Sequence, residues 1–216
     1  MQGILSKIEA NRGAASGWGG ARNKTVTVAL SAKQVFGIRR AADRAVACGW
    51  PFNRFTTIHW GALGIEDCDA ARLTGRLIKL ASDWCATKGV KMTWAWVREN
   101  DEGDGSKGSH VHILLHCPAD IPIGRMWRRW LRRLTNQKYQ RDGIYSRSVG
   151  PTLATHAKSP QLYRWNLRAA ISYMTKGVMA SHADRLRIAE SGPAGRVIGK
   201  RAAWWQISNP TLGKPK

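Results

Sequence analysis

Two alternating stretches enclose a single Gly/Asp turn, and that arrangement limits the fold more than any other feature. "VKMTWAWVREN" (90–100) reads as a strand, "DEGDGSKG" as a turn, and "SHVHILLH" as the returning strand. The expectation is an antiparallel hairpin with a long tip. Alternation puts Val111, Ile113 and Leu115 on one face of the second strand. His110, His112, Leu114 and His116 then share the other face. A strand that buries apolar surface has no structural need for so many imidazoles.

The remaining elements follow from periodicity and punctuation. "KTVTVAL" (24–30) and "RFTTIHW" (54–60) alternate as strands. Between them, "SAKQVFGIRRAADRAVACG" is a helix with Ser31 as N-cap and Gly49 as its stop. "DAARLTGRLIKLASDWCATKG" shows an apolar face of Leu73, Leu77, Leu80, Ala81 and Trp84, closed by Gly89. "IGRMWRRWLRRLTNQKYQR" is the clearest helix, with Met126, Trp127, Trp130, Leu131 and Leu134 inward. "GIYSRSVG" reads as a short strand. "SPQLYRWNLRAAISYMTKG" reads as a helix with Ser159 as N-cap, Pro160 first and Gly177 at the stop. The order β-α-β-α-β-β-α-β-α indicates an α+β fold, an antiparallel β-sheet core with packed helices. Residues 1–22 read as a flexible basic arm, 23–180 as the main domain, and 181–216 as a basic C-terminal extension. "GRVIGKR" in that extension is not a phosphate-binding loop, because Arg201 follows Lys200 and the glycine spacing is wrong.

Charge narrows the partners. Lys and Arg number 35 against 14 acids, a net charge of +21, which suits a polyanion such as nucleic acid. With 43% hydrophobic residues the chain still has enough apolar material for a core. No apolar window is long enough to span a bilayer and the N-terminus lacks a signal-peptide core. A cytoplasmic protein is expected. Cys48, Cys68, Cys85 and Cys117 are widely spaced and read as small core residues. The 11 tryptophans are core fillers or stacking platforms for bases, and Trp84, Trp127 and Trp130 have core spacing. Arg125, Arg128, Arg129, Arg132 and Arg133 crowd the outer side of their helix without an acid. That face either tracks phosphates or is simply solvated.

Two same-face imidazoles, His110 and His112, can hold one divalent ion or be structural. Glu99 ends the preceding strand, and the hairpin return brings it towards His110 as a third ligand. Asp101, Glu102 and Asp104 compete with it but belong to the turn, where solvation is expected. His116 reads as supporting or structural. Downstream, Tyr173 and Lys176 are spaced to share a helical face. They are a core tyrosine and a helix-end lysine, or a nucleophile with an adjacent cation. A phenol needs such help, its pKa being about 10.

The ordered set "FTTIHW", "HVHILLH" and "YMTK" resembles the three motifs of HUH endonucleases, in particular the rolling-circle replication initiators (Rep proteins) of plasmids and phages. The resemblance spans about residues 25–178. It implies a ferredoxin/RRM-like sheet with the metal histidines on a central strand and the tyrosine on a facing helix. His110 and His112 would bind Mg²⁺ or Mn²⁺, with Glu99 matching the acidic ligand by position. Tyr173 would be the nucleophile and Lys176 its companion. Tyr163 falls off the face, so a single-tyrosine enzyme is implied, and His59 lies in the first motif. The implied activity is metal-dependent, site- and strand-specific DNA nicking and rejoining through a 5′-phosphotyrosine. The implied partners are single-stranded or hairpin DNA at an origin and the host replication machinery. A transposase or relaxase of the same superfamily is one alternative, and a non-catalytic basic nucleic-acid-binding protein is another.

Overall fold

The computed structural model describes residues 25–101, 106, 108–118, 121–138, 140–188, 192 and 194–206. Seven strands and six α-helices lie within them. They are β1 (Val26–Thr27), α1 (Ala32–Ala47), β2 (Arg54–His59), α2 (Asp67–Ala86), β3 (Trp94–Asn100), β4 (Ser109–Leu115) and α3 (Ile123–Thr135). There follow β5 (Ile144–Ser148), α4 (Thr155–Lys158), α5 (Pro160–Met174), α6 (Ala180–Ala183), β6 (Val197–Ile198) and β7 (Ala202–Trp204). Five strands form an antiparallel sheet in the order β5-β2-β4-β3-β7. The fold is therefore α+β with helices packed on an antiparallel sheet.

The hairpin β3–β4 occupies the middle, with β4 between β2 and β3. Every residue of β4 is buried. Its alternation separates two apolar layers. Phe55, Ala95, Val97 and Leu114 project to one side, where α1 (Val35, Ile38, Ala42) and α5 (Leu167, Ile171, Met174) cover them. Ile58, Trp96, Val111, Ile113 and Leu115 project to the other, against α2 (Leu73, Leu77, Ile78) and α3 (Trp127, Trp130, Leu131). His110 and His112 share the side of Leu114, beneath α5.

Local chemistry explains the helix ends. Ser31 and Gln34 close a reciprocal capping box at the start of α1. Beyond its end Gly49 adopts φ 77°, a left-handed conformation that glycine reaches without a Cβ penalty. Gly37 serves a close approach instead, since a Cβ there would lie 2.2 Å from the Trp204 ring on β7.

Several expectations are corrected. The strand expected over 24–30 shrinks to β1, which pairs with β6 in a separate two-stranded sheet. The helix expected to run through Arg141 stops at Thr135, because Asn136 turns left-handed at φ 56°. Ser159 precedes α5 but its side chain makes no capping bond. The boundary expected at residue 180 falls inside the core: Ala183, Leu186 and Ile188 pack with α1 and α5. β7, further on, is an edge strand of the main sheet. The arm expected over 1–22 and the last residues of the extension lie outside the described residues. Cys85 and Cys117 are buried, but Cys68 is exposed and Cys48 only partly covered. Trp60, Trp96, Trp127 and Trp130 are core residues, whereas Trp165 on α5 is 75% exposed.

One buried polar knot holds the hairpin. Arg98, fully buried, pairs with Asp67 at the start of α2. Its Nη1 donates to the carbonyls of Ile198 (2.9 Å) and Lys200 (3.2 Å). Ser109 at the start of β4 donates to Asp67 at 2.7 Å. The knot fixes both strands beside the turn, next to Glu99 and His110. Among the described residues no helix is long and apolar enough to cross a membrane.

Candidate metal centre and active site

The hairpin register sets Glu99 directly opposite His110. Directly paired residues in an antiparallel ladder present their side chains to the same face. Glu99 Oε2 lies 3.3 Å from His110 Nε2 and 3.7 Å from His112 Nε2. Each of the three offers one ligand atom, all within 4.8 Å of one another, and all three residues are buried. They form a group able to hold a metal ion.

The outer ring nitrogens are fixed by partners. His110 Nδ1 is 2.9 Å from the Gly108 carbonyl, an acceptor only, so Nδ1 donates. His112 Nδ1 is 2.9 Å from the Thr57 hydroxyl, directly across the β2–β4 ladder. The Phe55 ring stacks on His112 with centroids 5.5 Å apart. Both Nε2 atoms thus turn to the carboxylate. His112 Nε2 and Glu99 Oε1 are buried without a hydrogen-bond partner. Such atoms are costly unless a cation completes them. Ligand bonds of about 2.1 Å put neighbouring donors about 3–4 Å apart, the range of the 3.3 and 3.7 Å carboxylate–imidazole spacings. The donor set fits, and it leaves positions open for water or a phosphate oxygen.

Lys176 supplies the nearest positive charge, its Nζ 2.9 Å from Glu99 Oε2 as an ion pair. Burial alone would raise the Glu99 carboxyl, but the two imidazoles and Lys176 more than offset it and hold it well below the usual range. Burial would lower His110, yet its Glu99 and Gly108 partners leave it above the ordinary histidine value. His112, more deeply placed, is pushed down by burial. Burial would also lower Lys176, and Glu99 reverses the shift.

Tyr173 completes the cluster from the last turn of α5. It is 49% exposed, with its ring 5.1 Å from that of His112 and 6.0 Å from that of Phe55. Lys176 is not on the helix, which ends at Met174. It lies in the turn beyond, where Nζ still reaches within 4.5 Å of the Tyr173 ring centroid. Tyr163 is 3% exposed, and burial pushes its phenol further up. A cavity of about 880 Å³ opens over the cluster, lined by His110, His112, Tyr173 and Lys176 together with His59, Asp101, Arg141 and Tyr145.

The five arginines lie elsewhere. Arg125, Arg128, Arg129, Arg132 and Arg133 are exposed on α3. That helix packs on the sheet face opposite the histidines. His116 leaves the strand, its Nδ1 2.9 Å from the Pro51 carbonyl, and has a structural place. Asp101 is the turn carboxylate that comes near, 4.0 Å from His110 Nδ1. Glu102 and Asp104 lie outside the described residues. Thr57, Phe55, Gly108 and Arg141 were not singled out from the sequence. The alternation of "RFTTIHW" placed Thr57 and His59 on one face, but nothing local said which strand that face would meet.

Comparison with known proteins returns no matching family model, curated sequence or solved structure.

Proposed function

We propose that the chain is a metal-dependent DNA-nicking and -rejoining enzyme of the HUH type. In particular, we read it as a single-tyrosine initiator of rolling-circle replication on a plasmid or phage. The observation that supports this most is a half-exposed tyrosine set against a buried His-His-Glu cluster, with a lysine between phenol and carboxylate.

His110, His112 and Glu99 would hold Mg²⁺ or Mn²⁺, whose chemistry is to polarise the scissile phosphate. Tyr173 Oη attacks phosphorus in line, the P–O3′ bond breaks, and a 5′-phosphotyrosine forms. The phenol gives up one proton and the departing 3′ oxygen gains one. The phosphodiester is exchanged for another ester, so rejoining needs no nucleotide triphosphate. Lys176, kept cationic by Glu99, offsets the charge that builds on the phenolate and phosphate. Tyr163 is too deeply buried to attack, which favours the single-tyrosine reading.

The test is a denaturing gel of the protein with labelled single-stranded origin DNA and Mn²⁺. Wild type is expected to give a covalent adduct that Tyr173→Phe does not. His110→Ala and His112→Ala are expected to abolish the adduct while leaving salt-sensitive binding. An equal adduct from Tyr173→Phe, or none from wild type under any divalent ion, sinks the proposal and leaves a basic binding protein.

A further inference from the structure

A second cavity, of about 610 Å³, lies on the other side of Tyr173 from the metal centre. That volume falls within the range of about 300–1,000 Å³ typical of small-ligand sites. It is cut between β5 and α5. Arg147 and Phe55 line its sheet side, and Leu162, Asn166 and Ala169 its helix side. Tyr173 lines both cavities, so the two meet at the phenol.

We propose that this cavity is a subsite for one unstacked nucleobase next to the scissile phosphate, and that Asn166 selects that base. The proposal rests on the nickase reading and deepens it. The shape follows from the helix: residues 162, 166, 169 and 173 form one stripe, and alanine at 169 leaves the space a larger side chain would fill. The charge is right, because among the described residues the lining holds Arg147 and no carboxylate. Arg147 places its guanidinium 5.7 Å from the Phe55 ring centroid, a flat cationic surface on which a base can stack. Asn166 Nδ2 donates to the Leu162 carbonyl at 2.8 Å, which fixes the amide plane. Its Oδ1 can then accept from the edge of a base that carries an exocyclic amino group, which adenine, cytosine and guanine have and thymine lacks. A DNA strand whose phosphate sits at Tyr173 has its neighbouring base at the mouth of this cavity.

Binding is measured apart from cleavage, in the full chain carrying Tyr173→Phe, with Mn²⁺ and fluorescent single-stranded 12-mers randomised over the central positions. Bound molecules are sequenced. The parent is expected to deplete thymine at one position in favour of the amino-bearing bases. Adding Asn166→Ala is expected to cut that preference about tenfold at that position alone. Adding Ala169→Leu, at an exposed helix position, is expected to weaken binding about tenfold while the melting temperature holds. Arg129→Ala, on the far helix, should leave the base preference at that position unchanged. Unchanged profile and affinity in both cavity variants would overturn the subsite. Failure of the nickase reading shows separately, as absence of a covalent adduct from wild type on the same pool.

Discussion

Thr57 and His112 face each other across the β2–β4 ladder, and their 2.9 Å contact decides which imidazole nitrogen meets the cluster. A hydroxyl that accepts from Nδ1–H leaves the Nε2 lone pair for a metal. Thr57→Val keeps the shape and removes the partner. Mn²⁺ affinity, by titration calorimetry, should fall about tenfold or more. An unchanged dissociation constant would remove Thr57 from the site. His110 gives a pH dependence of known sign. Its value is raised above the ordinary one, so a proton competes with an incoming ion up to a higher pH than at an ordinary histidine. Mn²⁺ affinity should therefore weaken by up to about tenfold per pH unit as pH falls below that raised value, and level off above it. The histidine pair was readable from alternation alone. Glu99 was readable by position, but its distance depended on how the turn closes. Lys176 was expected beside the phenol, and its closer partner is the Glu99 carboxylate.

Helices and strands explain the next layer. Ser31→Ala removes a capping box and should cost about 1 kcal/mol in urea unfolding. Arg98→Ala should cost more, about 3–5 kcal/mol, because it takes the cation from the largely covered Asp67 carboxylate and loosens the hairpin next to Glu99. A loss near zero would mean that the knot is not what holds the turn. The caps of α1 were readable because a cap is a contact between near neighbours. The end of α3 was not, since "NQKYQR" carries no strong breaker and only the left-handed turn at Asn136 stops the helix. The tail after 184 was unreadable for the opposite reason. Its strands are two and three residues long, too short for a periodic signal, and are defined by their partners.

At the scale of the molecule, the described residues carry positive charge on both sides of the sheet. Lys176, Arg141 and Arg147 line the two cavities, and the arginines of α3 lie on the far face. If it touches phosphates, the double variant Arg129→Ala/Arg133→Ala should reduce the slope of log K against log salt by about 0.7 per lost contact on single strands. Adduct formation at saturating DNA should not change. An unchanged slope would mark that face as solvated. By itself the sequence determined the features whose signals are local: the central hairpin, the helix faces, the histidine pair and the strongly positive charge. Only the tertiary structure decided what depends on distant partners. These are the register that puts Glu99 against His110, the Thr57 hydroxyl behind His112, the cavity between β5 and α5, and the burial of the tail in the core. Periodicity tells a side chain which face it is on, but only packing tells it what that face will meet.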